Sequence, residues 1–178
     1  MTSVIIRNPE TDPPVTEMVT SVFDSIPAHW KRVLPQVEVV VSMASFNKVP
    51  ELREFCTEQN KQPGWKKSMW ESVEAICPEF DEKEAMIWVY FFRGTSYATP
   101  EYYFKKHLYE VIAKLMWLAS EELRREAGSE VPAGMVGGAA YMAFRDSFSR
   151  FFLNPDWLKE RRTSAWQFMQ RLDLVLQE

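Results

Sequence analysis

Apolar residues recur at helical spacing in the first part of the chain. Between Val15 and Ile26 they stand three or four positions apart, which predicts a helix that begins at Val15. Pro27 suits the first turn of a second, short helix, and Pro35 ends it. The segment before Val15 is polar and proline-rich, so residues 1–14 are predicted to form a flexible N-terminal tail.

Segments rich in β-branched and aromatic residues predict three strands. The first is Val37–Val41, and a helix over residues 51–59 follows it. The other two, Val73–Cys77 and Ala85–Phe92, are joined by a turn over residues 78–83 and predict an antiparallel hairpin. The predicted strands therefore lie in the first half of the chain.

The second half of the chain has helical patterns. The segment Thr99–Glu101 combines a capping hydroxyl, a proline and an acid, and the helix that starts there is predicted to run to Ala127. A flexible passage over residues 128–138 separates it from a helix over residues 139–153. The segment Asn154–Asp156 caps a last helix. Early strands and late helices together predict an α+β fold.

Composition and charge narrow the class of protein. The 178 residues fit one domain, which is predicted to span residues 15–178. Aromatic residues make up 14% of the chain, which favours a core rich in rings over an aromatic-lined groove for a flat, apolar ligand. The net charge of −4 argues against nucleic acid as a partner, because phosphate binding needs clustered Lys and Arg.

The sequence has no pattern typical of membrane insertion or export. No apolar stretch approaches the ~20 residues that a membrane helix needs, so we expect no membrane association. The first residues lack the apolar run of a signal peptide, and Cys56 and Cys77 do not make a disulfide framework. These features predict a cytoplasmic protein, although an unconventional export route stays open.

Four segments of the chain carry a resemblance to a known protein family. The sequences FRDSFSRFF over residues 144–152, NPDWLKER over residues 154–161 and WQF over residues 166–168 resemble the closing helices of the anthrax lethal factor-like family of zinc peptidases. The hairpin over residues 74–90 is similar to the sheet edge beside the family's cleft. The resemblance implies a zincin-like metalloprotease fold, in which a small mixed sheet with a hairpin packs against a long central helix and C-terminal helices.

The residues that bind zinc in this family are replaced in this chain. The family's long helix carries HExxH, whose two histidines bind zinc and whose glutamate takes a proton from the zinc-bound water. The matching positions here hold Tyr109, Glu110 and Ala113, so only the glutamate is kept. The family's third ligand, a glutamate on the next helix, matches Met142, and an acidic residue one turn later matches Asp146.

This replacement predicts a protein without a bound metal and without another cofactor. Alanine offers no lone pair, a thioether is a poor zinc ligand, and a phenol must lose a proton with a pKa of about 10 to bind strongly. Without zinc, water keeps a pKa of about 15.7, so Glu110 has no activated nucleophile. The family's tyrosine that stabilises the oxyanion has no secure match, and Met135 lies close to its position.

A shifted register offers an alternative metal site. His107 and Glu110 are three residues apart and share a helix face, so together with Asp146 they would form a weak site. The inverted motif HxxEH needs a histidine where Val111 stands. Because His107 follows two lysines, a solvent-facing histidine is the simpler interpretation.

Two functions are compatible with these residues. The first is a pseudoenzyme that serves as a binding or regulatory module for a protein partner or a small apolar ligand. A buried Glu110 then needs a hydrogen bond, for which Tyr109 and Arg145 are candidates, and the plainer alternative is a closed cleft of core residues. The proposed binding residues are Tyr109, Glu110, Ala113, Met142 and Asp146.

The second function is a metal-independent enzyme that uses the same helix. Glu110 would act as a general acid or base on a small, largely apolar substrate, with Tyr109 or Asp146 assisting. An open pocket around Glu110 would favour this enzyme, whereas a collapsed pocket beside an exposed apolar patch would favour a partner-binding module. The sequence identifies neither a substrate nor an oligomeric state.

Overall fold

The computed structural model describes residues 4–8, 13–81, 83–91, 100–128 and 137–177. These residues form one mixed sheet and a set of helices, so the predicted α+β class is confirmed. The strands are β1 (Val4–Arg7), β2 (Gln36–Ser42), β3 (Ala75–Phe80) and β4 (Glu84–Tyr90). The α-helices are α1 (Pro13–Ser25), α2 (Ala28–Lys31), α3 (Arg53–Asn60), α4 (Pro100–Ala119), α5 (Glu121–Glu126), α6 (Gly138–Leu153), α7 (Pro155–Glu160) and α8 (Ser164–Gln177). Short 3₁₀ turns cover Phe46–Lys48, Pro50–Leu52 and Lys67–Ser72.

The sheet has the strand order β1-β2-β4-β3. The pairs β1–β2 and β2–β4 are parallel, and the predicted hairpin of β3 and β4 is antiparallel, which confirms that prediction. The register of the hairpin shifts by one residue between Ile76 and Glu79, where Pro78 lies. Proline has no N–H to donate to a ladder, so it is tolerated at such an irregularity of an edge strand.

The two faces of the sheet bury different clusters. Ala85, Ile87 and Val89 of β4 belong to the main core, which also includes residues from α1, α4 and α6. The alternate residues Trp88 and Tyr90 pack against a smaller cluster on the other face. This alternation follows from the two-residue period of a strand. The buried members of the smaller cluster are Phe46, Leu52, Cys56, Trp70 and Ile76.

Aromatic rings fill the space between α2, α4 and α6. Phe144 stacks on Trp117 with ring centroids 5.8 Å apart, and the Phe148 ring meets Trp30 edge to face at 5.6 Å. Such pairs contribute roughly 0.5–1.5 kcal/mol each beyond the burial of their area. The prediction of a core rich in rings is therefore confirmed.

The predicted long helix after Pro100 is two helices. Ser120 has an extended backbone, and its hydroxyl accepts a hydrogen bond from the Leu123 amide at 3.1 Å, which makes it the N-cap of α5. The buried Arg124 guanidinium donates to the carbonyl oxygens of Trp117 and Leu118 at the end of α4. Capping at both sides of the break thus replaces the continuous hydrogen bonding of one helix.

The predicted last helix is also divided. Between α7 and α8, Arg162 has a φ of 44°, a left-handed conformation that a continuing helix excludes. The Thr163 hydroxyl then accepts a hydrogen bond from the Trp166 amide at 3.2 Å and starts the next helix. A serine or threonine cap inside an apolar pattern is therefore the common cause of both differences.

The N-terminal segment differs from the predicted tail. Val4–Arg7 form β1 and pair in parallel with residues 37–40 of β2. The helix that was expected at Val15 already begins at Pro13. Thr99 and Met135 lie outside the described residues. Among the helices described here, none combines the length and apolar character needed to cross a membrane.

Candidate functional site

Helix α4 has two chemically different sides around the segment that matches HExxH. Tyr109 and Ala113, four residues apart, are buried in the main core. His107, Glu110 and Lys114 lie on another side and line a cleft. Successive residues of an α-helix are about 100° apart, so Tyr109 and its neighbour Glu110 necessarily point to different surroundings.

The Tyr109 hydroxyl is bound on the inner side of α4. Its oxygen lies 2.6 Å from Ser25 Oγ on α1. Ser25 Oγ uses its single hydrogen to donate to the Val22 carbonyl at 2.7 Å, so Tyr109 donates and Ser25 accepts. Burial raises the pKa of Tyr109, and the Ser25 hydrogen bond opposes this only in part. The phenol is therefore neutral, and its proton is used in the hydrogen bond to Ser25 on α1.

Rings of α6 hold the Tyr109 side chain in this position. The Phe152 ring stacks on it with centroids 5.7 Å apart, and Phe148 meets it edge to face at 6.3 Å. Ala113, one turn further along α4, is completely buried. Of the two positions that match zinc-binding histidines, Tyr109 thus packs against α6, and Ala113 belongs to the main core.

Met142 and Asp146 are more exposed than Tyr109 and Ala113. The Met142 side chain is exposed, with 43% of its surface accessible, whereas its neighbour Tyr141 is buried against Trp117 of α4. Asp146 is half exposed and accepts a hydrogen bond from Arg145 at 3.0 Å. Of the five residues predicted to bind a ligand together, Glu110 lines the cleft, and the other four are not among its lining residues.

These positions do not fit a zinc ion. Tyr109 is hydrogen-bonded to Ser25, Ala113 offers no donor atom, and Met142 is exposed. The alternative set of His107, Glu110 and Asp146 is not assembled either. Within the described ranges, no group of three or more His, Cys, Asp or Glu side chains is placed to hold a metal ion.

The cleft lies between the start of β3, the outer side of α4 and the first turns of α6. Its volume is about 290 Å³, which is close to the lower end of the range for small-molecule sites. Burial raises the pKa of the Tyr141 hydroxyl, and the charges of Glu110 and Asp146 raise it further, while Arg145 lowers it. Tyr141 is therefore a neutral hydrogen-bond donor. The lining residues are Val73, Ala75, His107, Glu110, Val111, Lys114, Tyr141 and Arg145.

Ion pairs neutralise part of the charge at this cleft. The expected partners of Glu110 were Tyr109 and Arg145, but the closest cation is Lys106, whose Nζ lies 3.6 Å from Glu110 Oε1. The Glu110 side chain keeps 20% of its surface accessible, so it is not an isolated buried charge. Arg145 is paired with Asp146.

Glu74 is the residue of this region that the sequence analysis missed. Its side chain is 1% accessible, and among the described residues no donor makes a hydrogen bond to either carboxylate oxygen. The nearest basic group is His107, whose Nδ1 lies 3.4 Å from Glu74 Oε2. An acidic residue in the apolar sequence VEAIC was a signal for a buried carboxylate, but only the fold brings it to the histidine.

No family model, curated protein or solved structure matches the chain. The resemblance to lethal factor-like zinc peptidases therefore stays a prediction. The site is defined by its own geometry, which is a cleft beside α4 with Glu74 buried behind His107.

Proposed function

We propose that this protein is a pseudoenzyme with a zincin-like arrangement of sheet and helices, and that it serves as a binding or regulatory module. Three features support the arrangement: the mixed sheet with an antiparallel edge strand, the long helix α4 behind it, and the packing of α6 on α4. In this proposal the cleft around Glu110 binds a ligand without metal-dependent hydrolysis.

The hydrogen bond between Tyr109 and Ser25 is the observation that carries the proposal. A zinc ligand must present a lone pair to the ion, and a phenol must also lose its proton. Tyr109 is buried on the inner side of α4 and donates its proton to Ser25 at 2.6 Å. Moving it toward the cleft would break this bond and separate its ring from Phe152.

Metal analysis of the purified protein tests the proposal. After incubation with zinc and extensive dialysis, elemental analysis is expected to find far less than one zinc per chain, and peptide substrates should stay intact. The Glu110→Gln variant serves as the matched control, because it removes the kept glutamate's charge without removing a core side chain. Stoichiometric zinc that is lost in this variant would contradict the proposal and indicate an unconventional peptidase.

A second candidate function is a metal-independent enzyme with Glu110 as general acid or base. The open cleft favours it, since Glu110 and the neutral Tyr141 hydroxyl both line the same space. Tyr109 is a poor assistant because it is bound to Ser25. If an activity is found, its loss in Glu110→Gln with unaltered folding would favour this enzyme. Retained ligand binding without turnover in the wild type and in Glu110→Gln would favour the pseudoenzyme.

A further inference from the structure

Lys114 is the cation of the cleft that no acid neutralises within the described part of the chain. Glu110 is paired with Lys106 and Arg145 with Asp146, whereas no described carboxylate lies within ion-pair distance of Lys114. Lys114 is half-buried and lines the cleft. An ammonium group in such a place attracts an anion more strongly than one in bulk water, because the effective dielectric constant is lower.

His107 lines the same cleft and lies beside the buried Glu74. A buried carboxylate without hydrogen bonds is costly unless a cation or a proton compensates its charge. His107 is the nearest basic group, with Nδ1 3.4 Å from Glu74 Oε2, so the carboxylate helps to fix the orientation of the imidazole. Glu74 is buried behind the histidine, while the His107 ring lines the cleft and keeps 33% of its surface accessible.

The remaining walls of the cleft are suited to a small apolar group. Val73, Ala75 and Val111 line it beside the charged residues, and Tyr141 adds a hydroxyl donor. The volume of about 290 Å³ limits the ligand to a small molecule.

We propose that the cleft binds a small organic carboxylate, with its anionic group at Lys114 and His107 and its apolar part against Val111 and Ala75. This inference rests on the proposed function and names the ligand class of the same site. A singly charged carboxylate matches one unneutralised cation. A phosphate group carries more charge, which Glu110 would repel. Glu74 does not line the cleft, and it acts as a positioning residue that orients the imidazole from the Nδ1 side.

Titration with sodium benzoate, followed by NMR of the His107 ring, tests this inference. Saturable shifts of the His107 signals are expected. Lys114→Met keeps the apolar stem of the side chain and should weaken benzoate binding roughly tenfold or more, since hydrogen bonds to charged groups are of that strength. Lys159→Met makes the same charge change on the exposed side of α7 and should leave the affinity unaltered. Equal benzoate affinity in the wild type and in Lys114→Met would overturn the inference.

Glu74→Gln tests the positioning role separately. Benzoate should bind several-fold more weakly, and the His107 ring signals of the free protein should change because the ring loses the carboxylate beside Nδ1. Unchanged ring signals and affinity in a folded variant would overturn this role. If Glu74→Gln does not fold, His107→Gln provides the second variant, and it should lose the same several-fold affinity.

The ligand class has its own control. Inorganic phosphate should bind more weakly than benzoate, and tighter phosphate binding would overturn the assignment of an organic carboxylate. The zinc measurement tests the proposed function on its own. Absence of benzoate binding in a protein that also takes up no zinc would therefore refute only the ligand class.

Discussion

The side chains on the inner and outer sides of α4 differ in their surroundings. On the inner side, Tyr109 and Ala113 are packed in the main core, and the Tyr109 hydroxyl is hydrogen-bonded to Ser25. On the outer side, His107 and Lys114 line an open cleft. Residues that alternate along one helix thus belong to two environments. The helix period, and not the sequence spacing of a motif, decides which of them can act together.

The largest expected effect comes from placing a charge on the inner side. Ala113 is completely buried, so Ala113→Asp should lower the free energy of unfolding by about 3–5 kcal/mol or prevent folding, because the new carboxylate has no partner. Lys114→Asp, one residue away on the cleft side, should cost far less. Urea denaturation followed by circular dichroism measures both. If both variants lost the same free energy of unfolding, the inner and outer sides of α4 would not differ in burial.

The reactivity of Cys77 tests how far the outer side is open toward β3. Burial raises the pKa of the Cys77 thiol to about 11, although the charge of Lys114 lowers it in part. At pH 8 its alkylation by iodoacetamide should be more than about tenfold slower than that of an exposed thiol. Below the pKa the thiol is neutral, so the rate should rise about tenfold per pH unit from about pH 8 to pH 10.

Peptide mapping by mass spectrometry distinguishes Cys77 from Cys56, and the urea-unfolded chain gives the reference rate. A labelling rate that levels off near pH 9 would mean that the thiol has an ordinary pKa and that the cleft extends along β3 as far as Cys77.

Removing the Tyr109 hydroxyl should have a moderate effect on the free energy of unfolding. Tyr109→Phe keeps the stacked ring and deletes the hydrogen bond to Ser25, which should cost about 1 kcal/mol. Tyr102→Phe is the matched control, because Tyr102 is exposed and should change the stability by less than about 0.5 kcal/mol. If both variants lower the free energy of unfolding by the same amount, the Tyr109 hydroxyl does not make a stabilising hydrogen bond to Ser25.

The smallest effect is expected on the outer side itself. Glu110→Gln removes a partly exposed ion pair with Lys106, and such pairs contribute about 0–1 kcal/mol. The melting temperature should therefore stay within a few degrees of the wild type. A loss as large as that of Tyr109→Phe would indicate that Glu110 has a structural role, which the comparison of the two sides does not assign to it.

The sequence pattern was sufficient for elements whose burial is periodic. The strands around Val39 and Ile87, the hairpin and the helix of residues 139–153 follow directly from apolar spacing. The breaks at Ser120 and Arg162 were missed because the apolar pattern continues across them, and the competing caps involve single polar side chains. Strand β1 was missed because four residues give too short a pattern, and its pairing with β2 is a tertiary contact.

The candidate site was predicted less well than the fold. Glu110 lines the cleft, but the expectation that Tyr109, Ala113 and Met142 would line it as well treated sequence positions as neighbours in space. Lys114 lines the cleft and Glu74 lies beside His107 because the start of β3 packs against α4, which no local pattern in the sequence specifies.

Pro78 has a consequence for the protein in concentrated solution. Strand β3 lies at one edge of the sheet, and a long edge with free amide groups invites another molecule to continue the ladder. Here the proline removes one amide and the shifted register bends the strand, so a neighbouring copy finds no continuous row of donors and acceptors. The same irregularity that shapes the hairpin therefore disfavours the addition of another strand at this edge.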